Sequence, residues 1–203
     1  MAREFDWSLL TVPDAMAMVR GQLGFSWAQL SPRLETLSDD EFTWRPAPGA
    51  LSVVRREEVA TGARGIGAGE YVVEWPPEAT DAALGPPGAG TRTIAWLVAH
   101  LTEVFAERSD WTFGQHRLGR DDLTYHRDRA PAVSQLVHWV DTWQAGVDAM
   151  DPARVYEVGV STATEVDASA PFGHLVLHLN RELVHHGAEI CTLQDLHRAG
   201  RAT

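Results

Sequence analysis

The chain has 203 residues, 44% of them hydrophobic, with 17 basic against 28 acidic side chains and a formal net charge of −11. This composition is typical of a folded globular protein and excludes a predominantly disordered one. All 17 basic residues are scattered arginines, which argues against a nucleic-acid partner because phosphate neutralisation needs clustered cations. No charge-free stretch exceeds 13 residues and the N-terminus has no apolar segment, so we expect neither a membrane span nor a signal peptide.

The chain contains a single cysteine, Cys191. One cysteine cannot form an intramolecular disulfide, which is typical of a protein of the reducing cytoplasm. A lone thiol also excludes a zinc site built from several cysteines. Any metal site must therefore use histidine, aspartate and glutamate ligands.

Four segments carry apolar residues at the three- and four-residue spacing of a helix face. These segments predict helices over residues 12–37, 91–108, 130–151 and 171–196, and Ser31-Pro32 permits a kink or break in the first of them. Four long helices without alternating strands predict an all-α helical bundle, which we interpret as one domain over residues 1–203.

Residues 45–92 have a different composition, because six of the 11 prolines and eight of the 17 glycines fall there. We interpret this segment as an irregular insertion between the first two long helices. Residues 51–54 and 70–75 within it have the β-branched and aromatic content of short strands. The glycine-rich residues 62–69 lack the spacing of a phosphate-binding loop, and we expect them to be flexible.

The last predicted helix places two ionisable residues at the edge of its apolar face. Glu182 and His186 are one turn apart, beside Leu175, Leu179 and Leu193. Burying both side chains is costly unless something compensates them, and a divalent cation bound by both would do so. An ordinary ion pair between residues i and i+4 is the alternative.

His100 lies among apolar residues of the second predicted helix, so its imidazole is also expected to point inward. Together with Glu182 and His186 it would supply three protein ligands, which leave a metal coordination position open, as in catalytic sites. The alternative is a hydrogen-bonded core histidine that binds no metal. His178 and His185 lie further from the apolar face and are either second-layer groups or part of a solvated stripe.

The segments 93–101 and 180–190, with the loop 44–49, resemble the DinB-like superfamily of four-helix metal-binding proteins. This grouping includes the mycothiol-dependent maleylpyruvate isomerases and other thiol S-transferases. The resemblance implies an up-down bundle with a bound divalent metal, commonly zinc or nickel. Many members have three histidine ligands, whereas the His/Glu/His set of the maleylpyruvate isomerase branch matches this chain. The ligands implied by the resemblance are His100, Glu182 and His186.

The resulting functional hypothesis is a metal-dependent enzyme that activates a low-molecular-weight thiol cosubstrate such as mycothiol for S-transfer or isomerisation. His178, Arg181, His185 and Glu189 are candidates for second-layer or substrate contacts, and no residue is assigned as catalytic. One alternative is a metal-dependent hydrolase with Glu189 or Glu103 as general base, and another is a non-catalytic metal-binding protein. The expected partner is a small-molecule substrate, and an acidic helical bundle is also compatible with a homodimer.

Overall fold

The computed structural model describes residues 14–75 and 90–201, which are mostly helical with one small sheet. The helices are α1 (Ala15–Glu35), α2 (Asp39–Thr43), α3 (Ile94–Phe113), α4 (Arg129–Asp148), α5 (Glu165–Ser169) and α6 (Phe172–Arg201). The strands are β1 (Val53–Arg55), β2 (Arg64–Ile66) and β3 (Tyr71–Trp75). Single 3-10 turns lie at residues 56–58, 120–122 and 152–156. Within these described ranges, every helix is too short or too polar to cross a membrane.

The helices α1, α3, α4 and α6 confirm the four predicted long helices. The helix α3 continues to Phe113, five residues beyond its predicted end. The helix α1 runs through Pro32 without a break. The proline lies in the last turn, and its carbonyl accepts a hydrogen bond from the Thr36 amide at 3.2 Å. Residues 12 and 13 of the first predicted helix and residues 76–89 of the predicted insertion lie outside the described residues.

The insertion contains a three-stranded antiparallel sheet with the strand order β1-β3-β2. The two predicted strands are present as β1 and β3, but the expectation of a flexible stretch at residues 62–69 is wrong, because β2 pairs there with β3. Gly65 is required by close packing: a Cβ atom at this position would lie 2.8 Å from Val72 and 2.9 Å from Val59. Glycine therefore marks a close approach of side chains to the backbone here, and not flexibility.

The chain divides into two compact units. The first unit comprises Met1–Thr36, Val104–Leu118 and Val137–Ala188, and the second comprises Leu37–Glu103, Gly119–Leu136 and Glu189–Thr203. The long helices α3, α4 and α6 each contribute residues to both units.

The first unit packs around an aromatic cluster. The indole of Trp143 in α4 is fully buried, with ring centroids 5.4 Å from Phe113 and 6.0 Å from Phe172. Gly146 lies one turn further along α4, where a Cβ atom would meet the Phe113 ring at 2.4 Å. The close approach of α4 to this ring therefore depends on the missing side chain.

The helices α1 and α6 also pack within the first unit. The side-chain amide of Asn180 donates hydrogen bonds to the Val19 carbonyl at 2.8 Å and to Gln22 Oε1 at 2.9 Å. Seven residues further along α6, a Cβ atom at Gly187 would lie 3.3 Å from Leu30. The two helices therefore run in the same direction along this contact. The first and last helices of an up-down bundle would run in opposite directions, so this pair departs from the predicted up-down order.

In the second unit, the sheet fixes the start of α3. The chain segments at Leu51 and Thr93 exchange backbone hydrogen bonds, with the Thr93 amide 2.9 Å from the Leu51 carbonyl. The Thr93 hydroxyl accepts a hydrogen bond from the Trp96 amide at 3.1 Å, which caps the first turn. The Trp96 indole then donates to the Glu74 carbonyl of β3 at 2.7 Å. These bonds orient the face of α3 that carries Trp96 and His100.

Gly67 adopts φ of +129°, and a Cβ atom there would lie 2.6 Å from the Tyr125 ring. We expect Gly67→Ala to lower the free energy of unfolding by about 2 to 4 kcal/mol, since it combines backbone strain with a clash. Gly49→Ala is the matched control, because Gly49 has φ of +76° in open space and should cost only about 1 kcal/mol. Urea denaturation measures both, and equal losses in the two variants would show that the clash with Tyr125 is relieved.

Glu41 joins α2 to α6 in the second unit. One carboxylate oxygen accepts from the Ser38 amide at 2.7 Å, and the other accepts from Arg198 Nε at 2.5 Å. Burial alone would raise the pKa of this carboxyl, but the hydrogen bonds from Arg198 and Ser38 outweigh burial and lower the pKa to about 2.

Because the folded-state pKa of Glu41 is lowered, its contribution to stability is present above pH 4.5 and is lost as the pH falls toward 2. We expect this contribution to be about 2 kcal/mol. Urea unfolding between pH 6 and pH 2.5 should therefore show the free energy of unfolding of Glu41→Gln converging on that of the parent as the pH falls. Glu57→Gln, at an exposed site, is the control. A difference between Glu41→Gln and parent that does not change with pH would contradict the prediction.

Candidate metal centre

The helix α6 presents Glu182 and His186 as a close pair. Because the helix is continuous from Phe172 to Arg201, the two side chains lie one turn apart on the same face. Glu182 Oε2 lies 3.2 Å from His186 Nε2, and the side chains are only 13% and 7% exposed. Glu182 and His186 are therefore close to each other, as predicted. Their proximity alone fits both an ion pair and a pair of metal ligands.

His100 of α3 lies within an aromatic layer. Its ring stacks on Trp96, with centroids 5.0 Å apart and an interplanar angle of 27°, and tilts against Trp75 at 5.7 Å. Its side chain is 14% exposed, which confirms that the imidazole points inward. The rigid indoles restrict the rotation of this imidazole, which favours a fixed orientation for one of its nitrogens.

The three predicted ligands come together. His100, Glu182 and His186 each offer a ligand atom, and these atoms all lie within 4.8 Å of one another. Two imidazoles and one carboxylate form a donor set suited to zinc and to similar divalent ions. A cation would also compensate the burial of the Glu182 carboxylate. The residues present therefore fit a divalent metal ion, and the cluster could hold one.

Arg181 and His178 fix the carboxylate of Glu182. Arg181 Nη2 donates to Glu182 Oε1 at 2.7 Å and lies 2.7 Å from His178 Nδ1. Burial lowers the pKa of His178, and the positive charge of Arg181 acts in the same direction, while Glu182 raises the pKa. A neutral His178 can accept the hydrogen bond from Arg181. This arrangement leaves Oε2 of Glu182 directed to His186.

His185 and Glu189 form a second grouping with His186, whose ligand-capable atoms also lie within 4.8 Å of one another. The ring of His185 is exposed and 4.9 Å from that of His186. Glu189 is engaged by Arg92, whose Nε lies 3.2 Å from Glu189 Oε1. Both groupings use His186, and only the first combines ligands from two helices.

The surroundings of Glu103 were not predicted from the sequence. This carboxylate is 2% exposed, lies 3.7 Å from His100 Nδ1 and pairs with Arg120 at 2.6 Å. The signal in the sequence was the spacing His100-x-x-Glu103, which is repeated in His186-x-x-Glu189. Arg120, by contrast, lies outside any periodic segment, so no sequence pattern connected it to Glu103.

Comparison with known proteins identifies the family. The model of the DinB superfamily matches residues 22–190, most of the chain. The chain therefore belongs to the DinB superfamily, which confirms the resemblance seen in its two histidine-bearing segments. Neither a curated protein nor a solved structure matches the chain. The family and the geometry of the cluster agree that this chain has a group of residues able to hold a metal ion. The assignment of the individual ligands, the homodimer and the cytoplasmic location stay predictions.

Proposed function

We propose that this protein is a divalent-metal-dependent enzyme that activates a low-molecular-weight thiol for S-transfer or isomerisation. The proposal depends on one observation, the His/Glu/His cluster formed by His100, Glu182 and His186. Three protein ligands leave a coordination position for an exchangeable guest. A zinc or nickel ion there would supply a Lewis acid that lowers the pKa of a coordinated thiol.

The residues around the cluster support a small anionic guest. The Arg181 side chain is 67% exposed although its guanidinium contacts Glu182, and the His185 ring is also exposed. A guanidinium and an imidazole suit the carboxylates of a thiol such as glutathione or bacillithiol. Their role would be to orient the thiol, because orientation of the reacting groups contributes to rate independently of the chemistry of the metal.

The hydrolase alternative has less support from the structure. The two carboxylates considered as general bases, Glu103 and Glu189, are each paired with an arginine. In each pair the arginine occupies one carboxylate oxygen, which leaves the carboxylate less free to contact a water molecule at the metal site. A mechanism in which the thiol itself is the nucleophile needs neither of these carboxylates as a general base.

The test combines metal analysis with activity. Protein loaded with zinc or nickel is mixed with mycothiol, bacillithiol or glutathione and with an electrophile, either 1-chloro-2,4-dinitrobenzene or maleylpyruvate. We expect turnover with at least one thiol, lost in His186→Ala and retained in His174→Ala, the matched exposed histidine of α6. Metal-loaded protein that is inert with every thiol would overturn the transferase proposal. Substrate turnover without any thiol would indicate hydrolysis instead.

A further inference from the structure

Each of the two candidate histidine ligands is followed, three residues later, by a glutamate. The pairs are His100 with Glu103 in α3 and His186 with Glu189 in α6. Residues three apart lie on neighbouring positions of one helix face, so each carboxylate is within reach of the preceding imidazole. The same spacing thus occurs on both helices that would supply the metal ligands.

Glu103 faces His100 from a fixed position. Its Oε1 forms an ion pair with Arg120 Nη2 at 2.6 Å, and its Oε2 lies 3.7 Å from His100 Nδ1. The Arg120 guanidinium in turn lies 4.8 Å above the Trp75 ring. A carboxylate that is only 2% exposed needs a partner of opposite charge. Arg120 supplies this charge at one oxygen and leaves the other oxygen facing the imidazole.

Glu189 is held in the same way. Its Oε1 lies 3.2 Å from Arg92 Nε, and the Arg92 guanidinium lies 5.2 Å above the Trp96 ring. A carboxylate oxygen of Glu189 is within 4.8 Å of a ring nitrogen of His186. The same series of contacts, from tryptophan to arginine, from arginine to glutamate and from glutamate to histidine, therefore occurs twice. The two tryptophans also stack on each other, with ring centroids 5.3 Å apart.

We propose that Glu103 and Glu189 are positioning residues for the imidazoles of His100 and His186. This inference rests on the proposed metal site. A carboxylate beside one ring nitrogen fixes the proton there, so that the other nitrogen presents its lone pair to the metal. The separations of these glutamates from the imidazoles are longer than hydrogen bonds, and such contacts commonly tighten when a site is loaded. The arginines hold the carboxylates in place. The imidazoles, and not the glutamates, therefore move when these contacts shorten.

The carboxylates also set the local charge. Glu103, Glu182 and Glu189 bring three negative charges, and their partners Arg120, Arg181 and Arg92 bring three positive charges. Each of the three carboxylates therefore has a partner of opposite charge in the absence of metal.

The first test measures affinity for Zn²⁺ and Co²⁺ by competition with a chromophoric chelator. We expect Glu103→Gln and Glu189→Gln to bind each ion about 10- to 100-fold more weakly than the parent. Glu107→Gln is the matched control, because Glu107 is also in α3 and also paired with an arginine, Arg108, but lies one turn beyond Glu103. Arg120→Gln, at a half-exposed site, removes the anchor without altering a buried carboxylate and should weaken binding in the same direction.

The visible spectrum of bound Co²⁺ separates a positioning role from direct ligation. Loss of a positioning residue should leave the absorption bands in place, whereas Glu182→Gln should shift them, because the spectrum reports the ligands and their geometry. A shift in Glu189→Gln equal to that in Glu182→Gln would overturn the positioning role of Glu189 and assign it as a ligand.

A measurement on the metal-free protein tests the role of Glu103 independently of the proposed function. The ¹⁵N chemical shifts of the His100 imidazole report which nitrogen carries the proton. We expect the proton on Nδ1 in the parent and a mixture of the two tautomers in Glu103→Gln. Unchanged tautomers together with unchanged Zn²⁺ affinities would overturn the inference. A parent that binds no Zn²⁺ or Co²⁺, but whose His100 tautomer still depends on Glu103, would defeat the metal site and leave this contact standing.

Discussion

His186→Ala should weaken the binding of Zn²⁺ and Ni²⁺ at least tenfold. The substitution removes one of three protein ligands, and the loss of residues that merely support a ligand already costs about 10- to 100-fold in affinity. It also leaves the Glu182 carboxylate, which is 3.2 Å from His186 Nε2, without that neighbour. Isothermal titration of the metal-free protein with each ion, after circular dichroism has verified folding, measures the effect.

Two histidines of α6 provide the controls for this experiment. His174 is exposed and outside the cluster, so His174→Ala should bind metal like the parent. His185→Ala separates the two groupings that share His186, because only the second grouping includes His185. The assignment of His186 as a ligand is wrong if His186→Ala binds either ion as tightly as His174→Ala does.

Trp143→Ala should lower the free energy of unfolding by about 3 to 5 kcal/mol, among the largest effects of any single substitution in the first unit. The indole is fully buried against Phe113 and Phe172, so its removal leaves a cavity that these rigid rings cannot fill. Equilibrium unfolding in urea, with the slope checked for two-state behaviour, measures the loss.

Trp143→Phe tests whether the loss in Trp143→Ala comes from the missing volume. Among the described residues, the buried Nε1 of Trp143 has no hydrogen-bond partner. Phenylalanine keeps much of the volume and removes this unsatisfied donor, so we expect a loss of at most about 1.5 kcal/mol. Trp139, one turn earlier in α4, is partly exposed, and Trp139→Ala should cost less than half as much as Trp143→Ala. Similar losses in Trp143→Phe and Trp143→Ala would contradict this expectation, because they would show that a phenylalanine ring does not fill the space of the indole.

The helices were predictable because their apolar residues keep a fixed period over many turns. The period determined the approximate bounds of α3, α4 and α6, although not the end of α3, where the polar residues at 107–110 hid its continuation. The strand β2 could not be predicted, because its middle residue is Gly65, which looks like a flexible position in the sequence and is a packing position in the fold. The direction of α1 against α6 likewise depends on contacts such as that of Asn180 with Val19, which have no local signature.

The candidate metal centre was also predictable only in part. The pairing of Glu182 with His186 follows from helix geometry alone, since residues four apart share a face. The addition of His100 needed the family resemblance as well, because an inward histidine has several ordinary explanations. The ion pair of Glu103 with Arg120 was beyond prediction, because the arginine reaches it from a separate 3-10 turn.

The arginine-held carboxylates have a consequence for alkaline conditions. The chain contains no lysine, so guanidinium groups supply all of its basic side-chain charge. Guanidinium groups remain protonated above pH 12, whereas an ammonium group would begin to lose its charge near pH 10. The positive partners of Glu41, Glu103 and Glu189 therefore persist in strongly basic buffers. Reagents directed at lysine side chains, including acetylating agents and amine cross-linkers, also have no side chain here to modify.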